Sequence, residues 1–185
     1  LNACEYIGKF ALLMRTSLTF SREQFSSILE EVKFLEAYLE LEKLRFDSKF
    51  FYHIDYKDEI NDINIPSLMV QPLIENAIKH AFLGKNNGGY INIKYTRIER
   101  DRIQVSVSDN GIWLANKHPF QNKQATSLGL KIIQDRLQLM KNDLKDEKIG
   151  MQIYPSSHSG TKIILVLPII FPNRNTGQMN DLTSQ

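Results

Sequence analysis

Up to about residue 46, apolar residues recur at spacings of three and four, which predicts two helices. The seam of the first helix comprises Ile7, Ala11, Met14 and Leu18. The seam of the second comprises Phe25, Ile28, Val32, Leu35 and Leu39. Segment 21–24, Ser-Arg-Glu-Gln, has the pattern of a capping box and is expected to begin the second helix. These seams fit either a hairpin packed on its own domain or association with a second copy of the chain.

From residue 50 onwards, apolar and polar residues alternate in short segments, which predicts strands. These segments are 50–56, 91–95, 103–107, 151–154 and 161–167. The polar pair Arg100-Asp101 predicts an antiparallel hairpin between the second and third strands. Amphipathic helices are predicted at 66–82 and 128–144, and Pro72 is expected to bend the first of them. Because strands and helices do not alternate strictly, the sequence predicts an α+β fold, a sheet with helices on one face.

The helix at 66–82 carries both a core stripe and a polar face. Its apolar stripe consists of Leu73, Ile74, Ala77, Ile78 and Ala81. Asn76, Lys79 and His80 share another face, because residues three and four apart are neighbours on a helix. An amide oxygen can bind Mg²⁺, and a lysine can contact phosphate. The alternative is a partly exposed amphipathic helix in which Glu75 pairs weakly with Lys79.

Two short segments could contact a nucleotide. Asp109-Asn110-Gly111 follows a predicted strand, and a carboxylate there can accept a hydrogen bond from the amino group of a base. Segment 127–130, Ser-Leu-Gly-Leu, begins a helix whose N-terminal N–H groups can approach phosphate. Taken alone, the first segment is most often a plain turn and the second is most often a plain helix start. Their order along the chain favours the nucleotide interpretation.

Composition narrows the class of protein. The 185 residues are 42% hydrophobic and 24% charged, which is ordinary for a globular domain. The net charge of +2, from 23 basic and 21 acidic residues, gives no basic field for nucleic acid. Cys4 is the only cysteine, so no internal disulfide can form. No apolar run approaches the roughly 20 residues of a membrane span, so no membrane contact is expected of this segment. The chain starts at Leu1, and we expect a fragment of a longer protein whose upstream part could hold membrane spans.

Several motifs resemble those of a known family. PLIENAIKHAF, DNG, SLGLKIIQDRL and GTKIILVLP look like the ATP-binding domain of sensor histidine kinases, in the superfamily of gyrase and the Hsp90-type chaperones. EYIGKFALLMRTSL and EEVKFLEAYLELEKLRF resemble, more narrowly, the LytS-type (autolysis-sensor) kinases. The resemblance covers roughly residues 3 to 168.

The resemblance implies a two-layer α/β sandwich of the Bergerat type, with a mixed sheet, preceded by a helical hairpin. Residues 1–47 would be part of a dimerisation and phosphotransfer bundle. Residues 48–171 would be the ATP-binding catalytic domain, and residues 172–185 a flexible tail.

The resemblance also implies roles on the phosphate side of an ATP site. Asn76 would hold the Mg²⁺ that bridges the phosphates. Lys79 and His80 would lie near the phosphates. Glu75 would orient or activate a reacting group.

On the base side, Asp109 would accept a hydrogen bond from the adenine amino group, and Gly111 would let the base come close. Gly129 and Leu130 would contact phosphate at the start of their helix. Thr161 would form a hydrogen bond near the adenine. Residues 114–127 would form a lid over ATP.

The implied activity is transfer of the ATP γ-phosphoryl group to a histidine, with Mg²⁺ as cofactor. The implied partners are a second copy, bound through the N-terminal helices, and a response regulator. The expected location is the cytoplasmic portion of a membrane-anchored bacterial sensor. None of the four histidines stands in the N-P-H-F type of stretch that carries the family's phosphoacceptor, so that histidine is expected upstream of this segment.

Two departures from the family pattern leave alternatives open. Trp113 and Ser127 stand where the family has glycines, which removes backbone freedom at both ends of the lid. A catalytically weak or inactive nucleotide-binding or scaffold module of the same fold is therefore the second hypothesis. An ATP-driven clamp is a third, disfavoured because the flanking helices resemble those of kinases.

Overall fold

The computed structural model describes residues 3–46, 50–81, 88–111, 128–155 and 160–171. Within these ranges the helices are α1 Ala3–Arg22, α2 Ile28–Arg45, α3 Gln71–Ala81 and α4 Leu128–Leu144. The strands are β1 Phe25–Ser27, β2 Phe50–Asp55, β3 Asn64–Pro66, β4 Gly89–Glu99, β5 Arg102–Asp109, β6 Gly150–Pro155 and β7 Thr161–Pro168. Trp113, Ser127, the expected lid, the expected tail, and the side chain of His80 lie outside the described residues.

Five strands form one sheet in the order β2-β4-β5-β7-β6. The β2–β4 pair is parallel and the other pairs are antiparallel, so the sheet is mixed. Alternate residues of the central strands are buried, as in Ile91 and Ile93 of β4 and Val105 of β5. Helices α2, α3 and α4 pack on the sheet. The predicted α+β fold, with a mixed sheet and helices on one face, is confirmed, as is the hairpin between β4 and β5.

The two N-terminal helices differ in what covers their apolar seams. The α2 seam is buried in the common core, with Val32, Leu35 and Leu39 at most 1% exposed. It is therefore not free to meet a second copy, and that part of the expected association is wrong. The α1 seam is open, with Ile7 64% and Leu18 58% exposed. Residues of α2 and of the sheet thus share one hydrophobic core. The expected boundary between a helical bundle at 1–47 and a catalytic domain at 48–171 stays a prediction.

The second helix begins later than expected. Ser27 caps α2, its hydroxyl accepting from Glu30 N while the Glu30 carboxylate accepts from Ser27 N. The predicted cap at residues 21–24 is wrong, because those residues end α1 and lead into β1. Strand β1 pairs antiparallel with β3, so Phe25 lies opposite Pro66 and not in a helix. This pairing joins distant parts of the chain, so no periodic pattern of apolar residues in the sequence indicates it.

Helix α3 also begins later than expected, at Gln71. Pro66 ends β3 and does not open the helix. Pro72 is then the second helical residue, where its missing N–H has no helical partner to lose, so no bend is needed. Leu73 and Ile74 are fully buried, as their spacing predicts. Across the described ranges, no helix combines the length and the apolarity that crossing a bilayer requires.

Candidate nucleotide-binding site

The carboxyl group of Asp109 lies at the end of β5 and is fixed by backbone donors. The residue is 7% exposed. Its Oδ1 accepts a hydrogen bond from Gly111 N at 2.7 Å and another from Thr161 N at 3.3 Å. Three of the predicted site residues therefore meet directly, across the ends of β5 and β7. The two donors leave the carboxyl group with one orientation.

Gly160 makes this arrangement possible. Its φ is +89°, a conformation that glycine adopts at no steric cost. A Cβ built on it would lie 2.2 Å from the Asp109 backbone oxygen and 2.7 Å from Asp109 Oδ1. No side chain fits there, so the backbone before β7 approaches Asp109 as closely as a glycine allows.

Asn110 ties the end of β5 to the start of β4. Its Oδ1 accepts from Tyr90 N at 2.8 Å, and its Nδ2 donates to Gly88 O at 2.9 Å. Its backbone N donates to Tyr90 O at 3.2 Å. The middle residue of the Asp-Asn-Gly segment therefore orders the backbone on both sides of the predicted base site.

The polar face of α3 supplies the phosphate-side candidates. Glu75 and Asn76 are half-buried, and Lys79 is exposed. Gln71 Nε2 donates to Glu75 Oε1 at 3.0 Å, one helical turn away. Tyr38 of α2 faces this region, and burial together with the charges of Glu42 and Glu75 raises the pKa of its hydroxyl. Glu75 is thus oriented by its own helix and lies close enough to α2 to affect it electrostatically.

The start of α4 lies against the start of α3. A Cβ on Gly129 would meet Pro72 Cβ at 3.1 Å, which is a tight contact. Leu130 is 3% exposed and belongs to the core. Gly129 therefore has a packing role that was not predicted, because it lets the first turns of the two helices approach closely, and its contact with phosphate stays a prediction.

The site thus consists of two described parts. Asp109, Gly111 and Thr161 form the cluster on the predicted base side, and α3 with the N-terminus of α4 lies on the predicted phosphate side. Helix α3 packs on β4, β5 and α4, which joins the two parts. Among the described residues no group of three or more His, Cys, Asp or Glu side chains is placed to hold a metal ion.

Sequence reasoning assigned no individual role to two residues of this site, Gly160 and Asn110. Gly160 precedes a predicted strand in a polar turn, and a glycine there could have indicated a backbone with positive φ. Asn110 could have been found from the tendency of asparagine to bond nearby backbone in turns. Its actual partners are Tyr90 of β4 and Gly88 just before that strand, so only the fold identifies them.

Known proteins are similar to this chain in both sequence and fold. The family described as histidine kinase-, DNA gyrase B-, and HSP90-like ATPase matches residues 61–170, and the histidine kinase family matches residues 1–50. The sensor histidine kinase/phosphatase LytS of Staphylococcus aureus strain N315 is 27% identical over 174 residues. That match covers 90% of this chain and 29% of LytS, so the chain spans under a third of the curated relative.

Solved structures agree on the fold. The catalytic domain of histidine kinase ThkA superposes with a TM-score of 0.57 at 16% identity, covering 78% of this chain and 94% of that domain. ThkA in complex with the response regulator protein TrrA superposes with a TM-score of 0.52 at 18% identity, covering 92% of this chain and 50% of ThkA. The resemblance seen in the motifs is confirmed. The chain belongs to the histidine kinase-, DNA gyrase B- and HSP90-like ATPase family, whose ATP-binding domain it contains.

Proposed function

We propose that this chain is the ATP-binding catalytic part of a sensor histidine kinase, which transfers the γ-phosphoryl group of ATP to a histidine elsewhere in the complete protein. The observation that carries this proposal is the buried carboxyl group of Asp109, oriented by Gly111 N and Thr161 N. A carboxylate fixed in this way is suited to accept a hydrogen bond from the adenine amino group. Gly111, without a side chain, lets the base approach the strand end.

The phosphate side fits Mg²⁺ carried with the nucleotide. Mg²⁺ is usually bound by one or two protein oxygens together with phosphate oxygens and water. The Asn76 amide oxygen is such a ligand, and the described residues offer no cluster of acidic side chains to hold the ion alone. When bound there, Mg²⁺ would neutralise charge on the phosphates. Lys79, exposed on the same helix, would add a positive charge, and the N–H groups around Gly129 would donate hydrogen bonds to phosphate.

Catalysis in this class of reaction depends on positioning and charge neutralisation more than on covalent chemistry. Glu75, which accepts from Gln71, would orient the attacking histidine. The exposed seam of α1 would bind the α1 of a second copy. A response regulator would receive the phosphoryl group, as the relative ThkA suggests by its complex with TrrA. The chain would lie in the cytoplasmic part of a membrane-anchored sensor.

The test uses the full-length protein and γ-labelled ATP with Mg²⁺. We expect label that is labile to acid and stable to base, as phosphohistidine is, and we expect none on the 185-residue chain incubated alone. Glu75→Gln should lower the rate of labelling while nucleotide binding is kept. Nucleotide binding without any transfer in the full-length protein would instead favour the nucleotide-binding module, to which the sequence departures at Trp113 and Ser127 point.

A further inference from the structure

A buried carboxyl group lies where the N-terminal helices meet the rest of the core. Glu31 of α2 is 1% exposed. It falls on the apolar seam, three residues after Ile28 and four before Leu35. Neither of its carboxyl oxygens meets hydrogen-bond geometry with any group in the described ranges. A charged carboxylate in such a place is strongly disfavoured, so the neutral acid is the form that this packing accommodates.

Three other elements present groups to Glu31. Burial raises the pKa of Glu31 to about 8, and the backbone N–H of Val70 and the positive charge of Arg136 on α4 partly offset that rise. Burial lowers the pKa of Arg136, and the attraction of Glu31 opposes this. Tyr95 of β4 is 3% exposed, and burial, with a contribution from Glu31, raises the pKa of its hydroxyl. Arg136 is therefore the cation in the described ranges that acts on Glu31.

The turn from Ser67 to Val70, which precedes α3, is bonded to Arg136 of α4 and to the segment just before β1. Ser67 N donates to Gln24 O at 3.1 Å, and Ser67 O accepts from Arg136 Nη1 at 2.8 Å. Leu68 has a φ of +58°, a strained conformation for a residue with a side chain. Val70 O accepts from Leu73 N and Ile74 N and so starts α3. A cavity of about 330 Å³ borders this turn, between Phe20, Leu68 and Arg136. The turn is thus strained at Leu68, bordered by open space on one side, and hydrogen-bonded to Arg136.

We propose that Glu31 is a positioning residue for nucleotide binding, and that loss of its proton displaces Arg136 and the Ser67–Val70 turn and so weakens binding at α3 and α4. The inference rests on the proposed function, because α3 carries Asn76 and α4 begins beside Gly129. While Glu31 is neutral, Arg136 stays on Ser67 O. Once Glu31 is charged, Arg136 is drawn toward it and leaves Ser67 O. The start of α3 then loses a contact, and α4 shifts with Arg136.

The nucleotide therefore binds the protonated form more tightly, and binding takes up a proton when Glu31 is partly ionised. The test is calorimetry of Mg²⁺-ADP binding to the 185-residue chain from pH 6.5 to 9.5, in two buffers with different heats of ionisation. We expect affinity to fall as the pH rises through about 8, by roughly ten-fold if binding changes the Glu31 pKa by about one unit. Proton uptake should accompany binding in that range.

Matched variants distinguish a positioning role of Glu31 in nucleotide binding from a general role in core packing. Glu31→Gln, neutral at every pH, should keep the low-pH affinity throughout and show no extra proton uptake. Glu36→Gln, an exposed glutamate of the same helix, should behave as wild type. Arg136→Gln removes the side chain that transmits the change and its hydrogen bond to Ser67 O, so affinity should be lowered at every pH and the fall near pH 8 should be largely lost. This variant keeps the test decisive if Glu31→Gln does not fold.

A pH-independent affinity in wild type, the same fall in Glu31→Gln, or an undiminished fall in Arg136→Gln would overturn the inference. Failure of wild type to bind nucleotide at every pH would contradict the proposed function itself, and the inference with it. The two failures are therefore distinguishable in one series of titrations.

Discussion

The Cα of Gly160 faces Asp109 so closely that a methyl group added to it would lie 2.2 Å from the Asp109 backbone oxygen. The same added carbon would lie 2.7 Å from Oδ1, the atom that accepts from Gly111 N and Thr161 N. The orientation of the buried Asp109 carboxyl group and the conformation of the turn before β7 therefore depend on each other.

Gly160→Ala should disrupt the base-side cluster. The positive φ alone costs an alanine about 1–2 kcal/mol, and the overlap with Asp109 adds to this. The matched control is Gly88→Ala, since Gly88 has a φ of +87° and a methyl group added to it would meet nothing within 4 Å. Urea unfolding should show a larger loss of stability for Gly160→Ala, and calorimetry should show lost nucleotide affinity for that variant alone. Equal effects of the two substitutions would contradict this role of Gly160.

Asn110→Ala should loosen the junction of β4 and β5. It removes the hydrogen bonds to Tyr90 N and Gly88 O, which together stabilise the fold by about 1–3 kcal/mol. Asn110→Asp keeps the acceptor for Tyr90 N, so its stability should lie between that of wild type and that of the alanine variant. Asn92→Ala, two residues farther along β4 and opposite Ser108, serves as the control. If denaturant unfolding shows the same loss of stability for all three variants, the Asn110 side chain does not hold β4 and β5 together.

Self-association should depend on one side of α1. Leu18 and Leu12 are 58% and 60% exposed on the same helix, about 120° apart around its axis. Leu18→Lys places a charge in the Ile7–Leu18 seam and should weaken association at least ten-fold, because each copy loses about 1.5–3 kcal/mol of leucine burial. Leu12→Lys makes the same chemical change outside the seam and should have little effect. Sedimentation equilibrium measures both, and equal behaviour of the two variants would argue against the seam.

The buried Glu31 should also affect stability. Its pKa is about 8 in the folded chain against 4.5 when exposed, so the folded state holds the proton more tightly between these values. Its favourable contribution is complete below about pH 4.5 and is lost as the pH rises to about 8. The slope for one proton is at most about 1.4 kcal/mol per pH unit.

The measurement is the difference in unfolding free energy between wild type and Glu31→Gln across pH 5 to 9, which cancels the titration of other groups. We expect wild type to lose stability relative to the variant as the pH rises. Glu36→Gln should show no such trend. If the difference in unfolding free energy between wild type and Glu31→Gln does not change with pH, the pKa of Glu31 is not raised by folding.

Local patterns predict the core better than the junctions. The spacing of Leu73, Ile74, Ala77 and Ile78 identifies the buried stripe of α3, because helix period and burial are local consequences of the sequence. The predicted start of α3 is too early, because Pro66 pairs with Phe25 in a two-stranded sheet that no local period shows. Glu31 lies visibly on an apolar seam, yet its neighbours Val70, Tyr95 and Arg136 come from three distant elements. Contacts of this kind follow from the fold and not from spacing.

The most direct test of the account is a thermal unfolding series with Mg²⁺-ATP on wild type and Asp109→Asn. The asparagine keeps an Oδ1 for Gly111 N and Thr161 N but replaces the second carboxylate oxygen with a donor, which cannot accept from the adenine amino group. Asp143→Asn, an exposed change on α4, is the control.

At about 100 times the dissociation constant, a ligand adds roughly 2.7 kcal/mol, which corresponds to a rise of about 5–11 °C for a domain of this size. The account predicts that rise for wild type and Asp143→Asn, and little or none for Asp109→Asn at an unchanged melting temperature without nucleotide. No rise in wild type at saturating nucleotide, or an undiminished rise in Asp109→Asn, would contradict it.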